Sequence, residues 1–247
     1  MDDLINEAIE FIREHEPPEG YFVGFSGGKD SIVTLDLVRR SGVKYQAYYS
    51  MTMIDPPEVV RFIKENYSEV GRLKPDMTFW QGCIRYQMPL QMQRWCCKVL
   101  KHGTLSLAAL NLNNRIFGLR AEESNRRAMR GKIETRKGIT KIKPIFDWSS
   151  PEIWEYIRGE NLTYPSLYDE GFARLGCVCC PMDKSKIHIT QKRLRWPGMY
   201  RVLDITLNKL WDRDKDRLTN EYLFTYEDFM SWPNWKTKEQ RKQLKLY

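Results

Sequence analysis

The spacing of apolar and polar positions predicts the first elements of the chain. In residues 2–15, Leu4, Ile5, Ala8, Ile9, Phe11 and Ile12 recur at helical spacing, with acids early and basic residues late. Pro17-Pro18 stops that helix. Tyr21 to Phe25 is short, apolar and bounded by turn residues, which predicts a buried strand. Lys29 to Arg40 returns to the helical period and ends at Ser41-Gly42. Val43 to Tyr49 predicts a second strand, Pro57 to Tyr67 a further helix, and Arg115 to Leu119 a later strand. Residues 131–145 predict a hairpin around Arg136-Lys137-Gly138. Ser149-Ser150-Pro151-Glu152 opens another helix, with proline in its first turn and an acid near the free amides. Strand and helix alternating at short spacing favour an α/β fold, a parallel sheet covered on both faces. Beyond about residue 184 the pattern turns basic, aromatic and helical. The expected organisation is an α/β domain over 1–182 and a small helical C-terminal appendage over 183–247.

Composition narrows the class. The chain has 247 residues, 42% hydrophobic and 29% charged, which is the profile of a soluble globular protein. No apolar run is long enough to span a bilayer, and Met1-Asp2-Asp3-Leu4 lacks a signal-peptide pattern. The expectation is a cytoplasmic protein with no membrane partner. A net charge of +8 permits a polyanionic partner. Six cysteines in a cytosolic chain of this size point to metal ligands or redox groups before structural disulfides.

The chemistry starts between the first strand and the second helix. Ser26-Gly27-Gly28-Lys29-Asp30-Ser31 places glycines, a lysine and two hydroxyls at a helix amino end. Glycine lets backbone N–H groups approach an anion, the helix terminus adds partial positive charge, and Lys29 adds a full one. The spacing is not that of a Walker loop. It reads as a phosphate cradle rather than a polar turn.

This hexapeptide resembles the signature of the PP-loop ATP pyrophosphatases and of their relatives, the sulfonucleotide (PAPS and APS) reductases. Three further segments are similar to that family: Gly118-Leu119-Arg120-Ala121-Glu122-Glu123-Ser124, then Ile142 to Trp148 with Ile153 to Ile157, then Tyr164 to Phe172. The resemblance runs over about residues 20–182. It implies an adenine-nucleotide alpha-hydrolase-like (HUP) sheet and a nucleotide site holding ATP with Mg²⁺. By the same resemblance Ser26, Gly27, Gly28, Lys29, Asp30, Ser31, Thr52, Arg120, Glu123 and Ser124 bind nucleotide, and Lys29, Asp30 and Arg120 are catalytic. Asp30 either binds Mg²⁺ or caps its helix. Arg120 faces a phosphoryl or sulfuryl group, its alternative being an ion pair with Glu122 or Glu123. One position departs: Met51 stands where the family usually has an acid, next to the fitting Thr52.

Cys96-Cys97 and the C-x-x-C of Cys177 and Cys180 resemble the [4Fe–4S] ligand set of the APS-reductase branch. Zinc satisfies the same four ligands. Cys83 and Cys179 are spare, and Cys179 competes with Cys180 as a ligand. Sulfonucleotide reductases use a thiol in a C-terminal tail, and no cysteine follows Cys180 here. The combination is similar to the ATP-pyrophosphatase component of bacterial DNA phosphorothioation systems, of the Dnd C or Ssp D type. That resemblance implies α–β cleavage of ATP to activate the DNA backbone for sulfur incorporation, with a cysteine desulfurase and other phosphorothioation proteins as partners. Two alternatives stay open: a sulfonucleotide reductase-like enzyme using a partner thiol or Cys83 or Cys179, and a non-catalytic nucleotide-binding iron–sulfur assembly protein. The basic segment from Lys184 to Arg195 either tracks nucleic acid or is a solvated helix face. Trp211, Trp232 and Trp235 read as a small C-terminal core.

Overall fold

A computed structural model describes residues 1–90, 92–101, 111–183, 185–235 and 238. Lys184 and residues 239–247 of the expected appendage lie outside the described residues. Two compact units emerge. The first takes residues 1–51, 57–74 and 104–176, and the second takes 52–56, 75–103 and 177–247. The single cut expected after 182 therefore differs from the structure: residues 177–182 and two earlier segments fold with the C-terminal helices. Pairings such as Val178 N to Ile54 O at 2.8 Å show why, since these segments satisfy each other's backbone groups.

The first unit is a six-stranded sheet. Its strands are β1 (Tyr21–Phe25), β2 (Tyr45–Ser50), β3 (Gly71–Leu73), β4 (Asn114–Phe117), β5 (Ile133–Arg136) and β6 (Ile139–Ile142). They lie in the order β3-β2-β1-β4-β6-β5. All neighbours are parallel except β5 with β6, so the expected parallel sheet carries one antiparallel edge strand. That edge is the predicted hairpin. Lys137 and Gly138 both take positive φ, 52° and 74°, as a two-residue turn matching strand twist requires. The helices of this unit are α1 (Asp2–Glu14), α2 (Lys29–Ser41), α3 (Pro57–Asn66), the short α5 (Asn125–Ala128) and α6 (Ser150–Gly159). Helix α2 buries Ile32, Val33, Leu35, Leu37 and Val38, and α1 and α6 pack against it.

The order of the strands locates the site. From β1 the chain goes to β2 and β3 on one side and returns to β4 on the other. Ligands of open α/β sheets bind at the carboxyl ends of strands where the order reverses. Here that point lies between β1 and β4, paired through Gly24 and Phe117. Beyond β1 comes the 26–31 loop, and beyond β4 comes Gly118-Leu119-Arg120.

The second unit holds α4 (Phe79–Tyr86), a π-helical turn at Cys97–Lys101, α7 (Lys186–Arg195), α8 (Pro197–Asn220) and α9 (Tyr226–Met230). Thr78 and Gln81 close a reciprocal capping box at the start of α4. The tryptophans do form an aromatic core: Trp211 and Trp235 lie tilted against Phe229 at 5.6 and 4.9 Å between ring centroids, and Trp232 donates its indole N–H to Pro89 O at 2.9 Å. Helix α7 buries none of its residues. Among the described residues no helix is long and apolar enough to cross a membrane.

Candidate nucleotide site and cysteine group

In the first unit, the 26–31 loop is fastened from inside. Gly27 takes φ 70°, the left-handed region that favours glycine, and a side chain there would press on Ile63 and Val59 of α3. Ser31 Oγ donates to Gly28 O at 2.8 Å and lies 3.2 Å from both Ser26 N and Ser26 Oγ. Gly28 is the N-cap of α2 and supplies no side-chain cap, so the first helical amides depend on other partners. Lys29 N finds one far along the chain: it donates to Tyr168 Oη at 2.9 Å. Lys29 itself is 4% exposed, its ammonium 3.3 Å from Asp30 Oδ2 and 5.8 Å from the centre of the Tyr168 ring.

Asp30 neither caps the helix nor stands free. One carboxylate oxygen meets Lys29, and the other accepts from Arg120 Nε at 2.5 Å. Arg120 is 2% exposed. Its guanidinium also pairs with Glu122, donates to Trp148 O at 3.2 Å and donates to Ser150 Oγ at 3.1 Å. These anionic partners hold the guanidinium above its ordinary pKa against the opposing effect of burial, so it stays charged. The expected pairing with Glu122 is present, but as part of a buried network. Asp30 thus holds two cations, one on each side. Gly118 brings them near: a Cβ there would sit 2.5 Å from Asp30 O, so only glycine lets this strand end run so close to the start of α2.

Glu123 and Ser124 lie one step further out. Glu123 accepts from Arg120 N at 3.2 Å, pairs with Arg127, and meets Arg174 at 3.2 Å. Ser124 caps α5 by accepting from Arg127 N at 3.3 Å. Both side chains are occupied in shaping the turn that presents Arg120. Tyr168 was not among the expected site residues. It lies 139 residues from Lys29, and only its place in the segment from Tyr164 to Phe172 pointed toward it.

Thr52 falls in the second unit, with the cysteines. Cys177 Sγ lies 3.4 Å from Thr52 Oγ1, and Thr52 N donates to Asp55 Oδ2 at 2.7 Å. The structure therefore ties this expected nucleotide ligand to Cys177, and Asp30 of the loop to Arg120. Cys96, Cys97, Cys177 and Cys180 share one neighbourhood. Cys96 donates a hydrogen bond to Cys97 and feels the charge of Cys177. That bond, aided by the charges of Lys101 and Arg94, lowers Cys97 to about 6 and raises Cys96. Lys101 is held above its ordinary value by Cys177 first, then by Asp55, Cys97 and Cys180. Burial raises Cys177, and raises Cys179 to about 12. Lys101 and Asp55 are members of this group that spacing did not reveal, since neither belongs to a cysteine motif.

Four thiols from two segments, one already acidic, fit the thiolate chemistry of an iron–sulfur cluster or zinc. Their placement fits less well. Among the described residues no group of three or more His, Cys, Asp or Glu side chains is arranged to hold a metal ion. The sulfurs are gathered without meeting at a common centre.

Comparison with known proteins bears on the first unit most. The family described as the phosphoadenosine phosphosulfate reductase domain matches residues 20–183. The chain belongs to this family. An uncharacterised protein of Methanocaldococcus jannaschii is 30% identical over 221 residues, covering 81% of this chain and 46% of that one. An adenosine 5′-phosphosulfate reductase of Allochromatium vinosum is 27% identical over 187 residues, 70% of this chain and 73% of that one. The chain spans about half the length of the first curated relatives it matches, between 46% and 49%. Among solved structures, the PAPS reductase of Candida auris in its phosphate complex superposes with a TM-score of 0.56 at 19% identity, covering 71% of this chain and 93% of that one. The FMN adenylyltransferase of Candida glabrata with FAD and inorganic pyrophosphate gives a TM-score of 0.52 at 16% identity, with 71% and 62% covered. These likenesses show the fold. Family, sheet order and loop together make the first unit a PP-loop nucleotide-binding fold.

Proposed function

We propose that the protein cleaves ATP between its α and β phosphates and uses the activation to prepare an acceptor for sulfur. The observation that carries this reading is the buried Lys29 ammonium set into a glycine loop at the start of α2, with Arg120 across Asp30 from it. Backbone amides alone suit a small anion. A loop that adds a full charge suits the departing pyrophosphate, whose charge grows as the bond breaks. In this reading ATP enters as its Mg²⁺ complex. Ser26, Gly27, Gly28, Lys29 and Ser31 hold the pyrophosphate, and Arg120 faces the α phosphate once its tie to Asp30 loosens. Glu123 and Ser124 position Arg120. The acceptor is the DNA backbone, and the sulfur comes from a cysteine desulfurase partner, as in DNA phosphorothioation. Cys96, Cys97, Cys177 and Cys180 would hold a [4Fe–4S] cluster, or zinc in its place, after drawing together.

A second reading is favoured by the APS reductases among the relatives. There the loop holds the phosphate of a sulfonucleotide, and a thiolate attacks its sulfur. Cys83 and Cys179 are poor sources of that thiolate, being 0% and 2% exposed and raised by burial. A partner thiol would supply it. Product analysis decides. Labelled ATP, incubated with the protein alone and then with a desulfurase and DNA, is expected to give AMP and pyrophosphate. ADP and phosphate as main products would reject the assignment, and thioredoxin-dependent sulfite from APS would establish the second reading.

A further inference from the structure

We infer that Tyr168 is a direct anion ligand of the 26–31 loop, its phenol donating a hydrogen bond to a phosphate oxygen seated there. This rests on the nucleotide reading of that loop. Tyr168 Oη accepts from Lys29 N, the first helical amide of α2, at 2.9 Å. An oxygen used as an acceptor must aim its own O–H elsewhere. A Cβ built on Gly28 would lie 3.3 Å from Oη and 3.5 Å from Ser26 Oγ, so the hydroxyl stands beside the loop glycine, where a side chain at position 28 would crowd it.

The phenol is held there. Trp154 meets the Tyr168 ring edge-on at 5.1 Å and the Tyr164 ring at 5.2 Å, and Tyr164 Oη donates to Asp169 Oδ1 at 3.2 Å. The ring also lies under the Lys29 ammonium. A ring packed by two aromatic neighbours loses little further freedom when a ligand arrives, which is the condition for a preorganised donor. Burial, the larger influence, keeps the phenol in its protonated, donating form well above neutral pH. Within the loop Ser31 donates its hydroxyl to Gly28 O and Ser26 donates to Ser31 Oγ, so both protons are engaged, and Tyr168 brings a further hydroxyl beside Gly28 from residues far away in sequence.

The test uses the full chain and two probes, ATP and inorganic pyrophosphate, by calorimetric titration. Tyr168→Phe keeps the ring and the packing and removes the hydroxyl. Binding of both probes is expected to fall about ten-fold to a hundred-fold, the range for a hydrogen bond to a charged group. Unchanged binding would make the phenol a structural cap on Lys29 N. Tighter binding would make it a plug that the anion must displace. Either result overturns the inference. Loss of affinity through a disordered loop is separated by replacing Tyr168 with a difluorotyrosine, whose phenol is more acidic than tyrosine's in the same surroundings. Its affinity relative to wild type is expected to fall as pH rises into the range where the fluorinated phenol ionises, followed by its absorbance, and the native one does not. A ratio that stays constant through that range would also overturn the inference. If wild type binds neither probe, the nucleotide reading itself fails and this inference falls with it. Wild-type binding with an unaffected Tyr168→Phe variant rejects only the inference.

Discussion

Lys29 is the residue on which the loop's chemistry turns. Its ammonium is almost fully enclosed, between Asp30 and the face of Tyr168. Burying an ammonium is costly unless it is paired, and Asp30 with the aromatic face supplies the pairing. Lys29→Ala removes the full charge from the cradle and leaves the backbone amides. Binding of ATP is expected to weaken by about 1.5–3 kcal/mol in titration of the purified variant, with its circular dichroism unchanged. Equal affinity in the two proteins would show that the loop is a turn and not a cradle. The loop itself was legible because its residues are adjacent in sequence. Arg120 stood out in the sequence, but its partners did not. Asp30 comes from one distant segment and Trp148 and Ser150 from another, and no local pattern announces such a network. The contact of Tyr168 with Lys29 N was missed for the same reason.

Elements with a strong local signal appeared where the pattern put them. Helix α2 was expected at 29–40 and runs Lys29–Ser41, because an apolar face, a glycine start and a glycine stop agree. The second strand was expected at 43–49 and lies at Tyr45–Ser50, since Val43 is buried ahead of the ladder without pairing in it. Three-residue β3 gave no signal, being too short for periodicity to register. Helix α6 is the best specified by its ends. Ser149 Oγ accepts from Glu152 N, and both the amide and the hydroxyl of Ser149 donate to the Glu152 carboxylate, at 2.6 and 2.7 Å. The backbone bond first, then the hydroxyl bond, lowers the Glu152 pKa. A carboxyl lowered on folding contributes stability above its ordinary pKa, and that contribution fades as pH falls through the lowered value. Ser149→Ala is expected to cost about 0.5–2 kcal/mol at neutral pH by urea unfolding. The difference between wild type and variant should narrow in acid, once Glu152 is protonated in both. A difference independent of pH would mean that the serine acts as a cap alone and does not stabilise the ionised carboxylate.

At the scale of the whole molecule, the chain weaves two units from interleaved segments. Sequence reading placed the nucleotide fold well because a β-loop-α unit is contiguous. It placed the second unit less well because 52–56 and 75–103 join the C-terminal helices only in three dimensions. The cysteines follow that division. Cys96 and Cys97 come from one segment and Cys177 and Cys180 from another, yet all four fold into the second unit, where Lys101 feels Cys177, Cys97 and Cys180 together. Cys179 is different. It is enclosed, and its neighbours include Lys192, Arg193 and Tyr200. We propose Cys180 over Cys179 as the fourth sulfur, because Cys180 acts on Lys101 beside Cys177 and Cys97. A metal bound by two distant segments of the native fold, and not by the unfolded chain, must raise stability by mass action. Protein purified without oxygen is therefore expected to be brown, to contain iron with acid-labile sulfide, and to melt higher than protein stripped by oxygen and chelator. Cys96→Ser and Cys180→Ser should lose iron and the higher melting point together. Cys179→Ser should keep both. Colourless protein with stoichiometric zinc would keep the four ligands and replace the cluster. Protein that holds neither metal, and melts at one temperature with or without oxygen, would leave the four cysteines as a thiol group, with Lys101 as their resident cation.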